Sequence, residues 1–130
     1  MVKSADGGET RSRPRTIGKT RLDDRDPGVV ALPDGRLLAA YGRRTTDRGG
    51  FGVYASLSSD GGRSWGSEAR LSGATNNDPG YPASVELDDG TILTVYYQQP
   101  PEGGKPCIMA TKWRLQPAES PALPNPPFNP

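Results

Sequence analysis

The sequence predicts an all-β protein with short strands, and three observations favour this fold class. Of the 130 residues, 17 are Gly and 14 are Pro, and helix interiors do not tolerate this content. The 16 basic and 15 acidic residues nearly cancel, whereas charge-driven disorder requires a large net charge. Two sequence elements also recur at nearly one spacing, which indicates a structural repeat. Together these features are typical of turn-rich antiparallel sheets.

The composition excludes several classes of function. The formal net charge of +1 provides no basic footprint for nucleic acid, and no apolar run approaches the ~18 residues needed to cross a membrane. Cys107 is the one cysteine, which excludes an internal disulfide, and the sequence has no histidine for zinc or Ser–His chemistry. The acidic run over residues 23–26 lacks EF-hand spacing and is expected to be a solvated loop. We therefore expect no bound metal or cofactor.

The two recurring elements lie about 55 residues apart. Residues 4–11, with the sequence SADGGETR, are matched by residues 58–65, with the sequence SSDGGRSW, and their aspartates are 54 positions apart. Residues 27–41 align with residues 82–96 at an offset of 55. Because two independent elements share nearly one spacing, the sequence indicates two copies of one structural unit.

Each unit is predicted to form consecutive hairpins. Asp34-Gly35 and Asp89-Gly90 lie between apolar runs, where Asp-Gly is a strong signal for a hairpin turn. In the first unit the strands are predicted over residues 29–32, 36–41, 51–57 and 67–71. A counterpart of the last of these strands is predicted before them, near residues 15–22. In the second unit the strands are predicted over residues 84–87, 91–97 and 107–115.

Four antiparallel strands in about 50 residues are typical of a β-propeller blade. The predicted organisation is a partial blade over residues 1–23, a complete blade over 24–73, a last blade of three strands over 74–116, and a proline-rich tail over 117–130 that is extended or disordered. A closed propeller needs about four to eight blades, so the roughly two blades of this chain cannot close one alone. We therefore expect exposed sheet edges and blade faces.

The repeated aspartate motif resembles the Asp-box, or bacterial neuraminidase repeat, of the six-bladed propellers in the sialidase superfamily. The pattern Ser-x-Asp-x-Gly-x-Ser/Thr-Trp is met in full by Ser58, Asp60, Gly62, Ser64 and Trp65. The first copy, around Asp6, has Arg11 in place of the tryptophan. The resemblance covers residues 4 to 115 and implies a structural role, in which the aspartate accepts backbone N–H groups within its own turn.

The resemblance also implies residues of a glycan-hydrolysing site. Sialidases use a tyrosine nucleophile, found as Gly-Tyr at the entry to the inner strand of the last blade, so Tyr81 is the catalytic candidate. The alternative for Tyr81 is packing at the central channel or stacking on a sugar. The family clamps the sugar carboxylate with arginines, and Arg48 matches one of them, with Arg43 and Arg44 as nearby candidates. A solvated basic loop is the alternative for these arginines.

The function implied by the resemblance is hydrolysis of a terminal sugar, by default sialic acid, from glycans by a secreted or periplasmic protein. This chain, which shows no secretory signal at its start, would be the C-terminal portion and inactive alone, because the other site residues lie on other blades. The alternative is a non-catalytic carbohydrate-binding module that oligomerises through exposed blade edges. In that case the strand near residues 15–22 completes the last blade of a neighbour, and three copies form six blades. A non-functional fragment is the third interpretation.

Overall fold

The computed structural model describes residues 1–18, 20–44, 50–74, 80–100 and 102–115. These residues form seven strands and no helix, which confirms the predicted all-β class. The strands are β1 (Asp24–Ala31), β2 (Leu37–Arg44), β3 (Phe51–Ser58), β4 (Ala69–Ala74), β5 (Gly80–Glu86), β6 (Ile92–Gln98) and β7 (Cys107–Trp113). The tail predicted over residues 117–130 lies outside the described residues.

The strands form two antiparallel sheets in which each strand pairs with the next one along the chain. The first sheet has the order β1-β2-β3-β4 and the second has the order β5-β6-β7. Both predicted Asp-Gly turns are present: Gly35 and Gly90 have φ values of +85° and +74°, and their N–H groups donate to Leu32 and Leu87. Because glycine adopts positive φ without steric cost, these dipeptides determine where each hairpin turns.

The strand predicted near residues 15–22 is wrong, since the described residues of that range contain none. Instead, the start of the chain is hydrogen-bonded to residues 12–15. The N–H of Ser12 donates to the carbonyl of Lys3 at 2.7 Å, and the N–H of Arg15 donates to the carbonyl of Met1 at 2.8 Å. The described part of residues 1–23 thus contains the turn around Asp6 and no outer strand.

The hydrophobic core lies between the two sheets. Leu32, Leu38 and Ala55 of the first sheet and its hairpin are buried against Ile92 of the second. Partly buried side chains complete this cluster, namely Val30, Leu57, Leu71, Trp113 and Leu115. Hydrogen bonds also join the sheets, because the Ser72 hydroxyl donates to Gln98 at 2.7 Å and the Thr111 hydroxyl donates to the Leu71 carbonyl at 3.4 Å.

The first strands of the two sheets, β1 and β5, pack closely against each other. A Cβ atom added to Gly28 in β1 would lie 2.6 Å from the carbonyl oxygen of Pro82 in β5. Real Cβ atoms do not approach a backbone oxygen this closely, so only glycine permits this contact. The separation of the two sheets is therefore determined at Gly28.

The two sheets differ in how their outer faces are covered. On the outer face of the first sheet Ala39, Tyr41 and Ser56 are buried, and the N-terminal segment, residues 1–18, lies over this side. On the outer face of the second sheet, by contrast, Tyr81, Val85 and Ile108 are exposed; Tyr81 and Ile108 keep 70% and 73% of their surface. The second sheet is thus buried on one face only among the described residues.

We predict that Gly28→Ala lowers the free energy of unfolding by about 1–3 kcal/mol, the usual range for overpacking, because the new methyl group meets the Pro82 carbonyl. Urea denaturation measures this change. The matched control is Gly66→Ala, where the added Cβ would lie 3.5 Å from the Leu57 carbonyl in ordinary contact, so a change of at most about 0.5 kcal/mol is expected. Equal effects of the two substitutions would contradict the close packing of β1 on β5.

Candidate functional site

The residues that can carry chemistry gather at one end of the two sheets. Asp24 at the start of β1 pairs in register with Arg43 near the end of β2. A Cβ atom on Gly80, the first residue of β5, would lie 3.0 Å from Oδ2 of Asp26, so the two sheets meet at this end. The second Asp-box follows β3 at Ser58, which pairs with the first residue of β2 and so lies at the opposite end.

The Asp-box aspartates organise their own turns. Asp60 accepts the N–H groups of Arg63 and Ser64 at 2.8 and 2.9 Å and the Ser64 hydroxyl at 2.6 Å. Asp6 holds Thr10 in the same way, with its N–H group at 3.0 Å. The hydrogen bonds lower the pKa of both carboxyls far below its usual range, the largest contribution at Asp60 coming from the Ser64 hydroxyl and that at Asp6 from Ser4. These contacts agree with a structural role.

Arg43 is the centre of a buried ionic network. Arg43 is only 5% exposed, and its Nη2 donates to Oε1 of Glu68 at 2.7 Å. Nη1 donates to the other oxygen of Glu68, and Nε donates to Asp24. The guanidinium also lies over the ring of Tyr54, 4.8 Å from the centroid, and over that of Tyr41 at 5.4 Å. The bidentate geometry is the strong form of an arginine–carboxylate pair.

The electrostatics of this network keep Glu68, Arg43 and Tyr41 each in one protonation state. The hydrogen bond from Arg43 lowers the pKa of Glu68, and burial followed by the hydrogen bond to Glu68 raises the pKa of Tyr41. The hydrogen bond to Glu68 also raises the pKa of Arg43. At neutral pH Glu68 is therefore ionised, Arg43 is charged and Tyr41 is protonated. The network stabilises the start of β1 against β2 and against the segment before β4.

The predicted clamp arginines have different environments. Arg43 binds two carboxylates of its own chain, so three of its nitrogens are already engaged. Arg44 is exposed, and its backbone N–H donates to the Asp23 carbonyl at 3.1 Å. Arg48 lies outside the described residues. The expectation of a solvated loop over residues 23–26 is also wrong, because β1 begins at Asp24 and the carboxylate of Asp24 is paired with Arg43.

Tyr81 and Asp26 share an unusual backbone conformation. Their φ values are +54° and +51°, and they are the two described non-glycine residues with positive φ. Each lies at a register shift near the start of its strand and precedes a proline, and the two positions are 55 residues apart, which is the repeat offset. Such a conformation costs ~1–3 kcal/mol and occurs often at functional sites, where a bulge directs a side chain. The sequence did not identify Asp26 as the counterpart of Tyr81, because an aspartate and a tyrosine at equivalent positions of the repeat do not align by residue type.

Tyr81 forms one wall of an open groove on the outer face of the second sheet. This outer groove has a volume of about 400 Å³ and is lined by Tyr81, Val95, Tyr96, Tyr97 and Ile108. Gly80 pairs with Tyr97, and Tyr97 pairs with Ile108. The groove therefore runs across all three strands of the sheet. Within the described residues no side chain hydrogen-bonds the Tyr81 hydroxyl. The groove therefore offers aromatic and aliphatic contact, which suits the apolar face of a sugar or a proline ring.

A second cavity, of about 210 Å³, lies beneath the N-terminal segment beside the ionic network. Met1 and Ile17 line it on one side and Asp24 and Tyr41 on the other. In the part of the chain that the structure describes, no group of three or more Asp, Glu or Cys side chains is arranged to hold a metal ion. None of the described segments forms a helix long and apolar enough to cross a membrane.

Comparisons with known proteins identify no family for this chain. No protein-family model and no curated protein matches the chain. Among solved structures, it is similar to a protein of unknown function from Dyadobacter fermentans, with a TM-score of 0.48 and 15% sequence identity. The match covers 88% of this chain and 45% of that one, so the chain spans less than half the length of this neighbour.

We predict that Arg43→Ala lowers the free energy of unfolding by about 3 kcal/mol, because it leaves Asp24 and Glu68 partly buried without their cation. Urea denaturation at neutral pH measures this loss. Arg44→Ala removes the exposed neighbouring arginine and is expected to cost no more than about 0.5 kcal/mol. A loss of less than about 1 kcal/mol at Arg43 would mean that the network does not stabilise the fold.

The same network adds a pH dependence to stability. The pKa of Glu68 lies below its usual value of 4.5 in the folded chain, so its contribution is complete above 4.5 and is lost as the pH falls through the lowered pKa. We expect the wild type to lose more stability than Arg43→Ala on acidification from about pH 5 to about pH 3. The Asp-box carboxylates titrate alike in both proteins, so the difference reports the carboxylate Glu68, which loses its cation in the variant. Parallel pH profiles would contradict this assignment.

Proposed function

We propose that this chain is part of a sialidase-superfamily β-propeller, in which the two sheets are consecutive blades. The two Asp-boxes support this proposal, since both aspartates hold a hydroxyl residue four positions later through its N–H and hydroxyl groups. The sheets also have the strand order of blades, with each strand beside its sequence neighbour. The first strands, β1 and β5, pack together as inner strands of neighbouring blades would.

The proposed function of the whole protein is recognition and hydrolysis of terminal sugars on glycans, with sialic acid as the sugar that the family resemblance implies. The observation that carries the proposal is Tyr81, which is 70% exposed on a left-handed backbone at the strand entry that the family uses for its nucleophile. In this chain alone, the ring of Tyr81 would bind the glycan by stacking. Hydrolysis would require a base beside the tyrosine hydroxyl, and other blades would have to supply it.

A second candidate is the non-catalytic module that oligomerises. The exposed apolar face of the second sheet favours it, because Val85, Tyr81 and Ile108 resemble the surface that a blade buries against its neighbour. The exchange of an outer strand between copies is no longer part of this candidate, since residues 15–18 and 20–22 form no strand. Three copies would instead associate through the faces of their sheets.

We predict that Tyr81→Ala weakens glycan binding by the chain roughly tenfold, or about 1.4 kcal/mol, because it removes the stacking ring. Tyr81→Phe keeps the ring and should bind within about twofold of the wild type. Titration with sialosides and neutral glycosides, followed by NMR, measures both variants. The matched control is Arg63→Ala, an exposed residue in the Asp-box turn at the opposite end, which should leave binding unchanged.

Turnover and oligomeric state discriminate between the candidates. The chain alone is expected not to hydrolyse a fluorogenic sialoside, and turnover abolished by Tyr81→Phe would contradict that expectation and assign Tyr81 as the nucleophile. Light scattering that gives a monomer would exclude the oligomeric module. The proposal as a whole fails if the wild-type chain binds no glycan even at millimolar concentration.

A further inference from the structure

We propose that the outer groove is a docking site for a proline-rich segment in the polyproline II conformation, and that its occupant is the chain's own tail, residues 117–130. This inference does not rest on the proposed function, but both use Tyr81, so the tail and a glycan would compete for the groove. It follows from the chemistry of the groove, the spacing of prolines in the tail, and the distance between the point where β7 ends and the groove.

The outer groove has the composition that polyproline helices bind. Tyrosine rings and Ile108 line a shallow channel across three strands, and two of these side chains, Tyr81 and Ile108, are more than two-thirds exposed. Proline-rich segments dock into grooves lined by aromatic side chains, because the helix is already ordered and presents flat apolar rings. Such a ligand loses little conformational entropy on binding, so a modest groove suffices.

The tail has a proline pattern that matches one side of a polyproline II helix. Residues 117–130 contain six prolines and no glycine. Four of the prolines are spaced three residues apart, at Pro121, Pro124, Pro127 and Pro130. Since this helix has three residues per turn, the four rings form one straight row, and Pro126 lies outside it. Prolines lack the N–H group that addition of a strand beside β7 would use, so docking on the face of the sheet is favoured.

The tail starts close enough to reach the groove. It begins shortly after Leu115, just beyond the end of β7, whereas Ile108 lies seven residues back along the chain from Leu115, or roughly 23 Å. At ~3.1 Å per residue, seven or eight residues of polyproline II helix span that distance, which brings the proline row to the groove between Pro121 and Pro124. On this path Glu119 passes Lys112, which is exposed and lies on the same face of β7 as Ile108. The charges of tail and strand are therefore complementary.

The single cysteine provides the test in the full chain. Cys107 is exposed at the start of β7, on the opposite face of the strand from Ile108, so a nitroxide on it leaves the groove open. In the spin-labelled, isotopically labelled chain, the amide signals of Leu123, Asn125 and Phe128 should be attenuated at least threefold relative to the reduced label. Attenuation no greater than that of the urea-unfolded chain would overturn the proposal.

Substitutions in the tail test the proline row. Pro124→Ala with Pro127→Ala removes two rings of the row and should reduce the paramagnetic attenuation at least threefold. Pro126→Ala is the matched control, because it removes one proline outside the row and should change the attenuation by less than about 1.5-fold. Equal losses in the two variants would show that the tail contacts the sheet without the proposed row, and would overturn the docking mode.

A substitution in the groove tests the other partner. Ile108→Ser changes a side chain that is 73% exposed, so the fold is retained, and it should reduce the attenuation at least twofold. Cooperative urea unfolding verifies that retention. Mixing a spin-labelled copy without isotope with an isotopically labelled copy without spin label identifies the source of the tail. Attenuation that persists in this mixture would assign the groove to the tail of a second copy and overturn docking within one chain, whereas docking within one chain predicts its loss.

Discussion

The close contact between β1 and β5 is the constraint on which the rest of this structure depends. Gly28 permits the backbone of β5 to approach within contact distance, and this approach defines the thickness of the core around Leu38 and Ile92. The same contact brings Asp26 against Gly80, so that the entries of both strands meet at one end. A larger residue at position 28 would separate the sheets and move Tyr81 relative to the arginine network.

The two ends of the sheets are held by different interactions. At one end, Asp-Gly turns and Asp-boxes satisfy backbone N–H groups with short side chains, and their carboxylates are exposed and locally bonded. At the other end, Arg43 joins β1, β2 and the segment before β4 through two carboxylates, and Tyr81 and Asp26 have strained backbones. Backbone strain at Asp26 and Tyr81 persists because the surrounding structure holds these residues in place, as is common at functional sites.

Much of the fold could be predicted because its signals are local. Alternating apolar residues and an Asp-Gly pair specify a hairpin within about ten residues, and each Asp-box closes its hydrogen bonds within four residues. The site was predicted less well. Arg43 was expected to bind a substrate, but its partners Asp24 and Glu68 lie 19 and 25 positions away, and only pairing of the strands brings them together.

The sequence by itself determined the β class, the places where the hairpins turn, and the local bonding of both Asp-boxes, since neighbours along the chain decide these features. Tertiary structure alone decided that residues 15–18 and 20–22 form no strand and that Arg43 is occupied by its own chain. It also decided that β2 of the first sheet is buried on both faces, whereas the second sheet exposes Tyr81 and Ile108. The physical reason is that burial and charge pairing depend on which distant segments meet, and sequence spacing does not encode those distances.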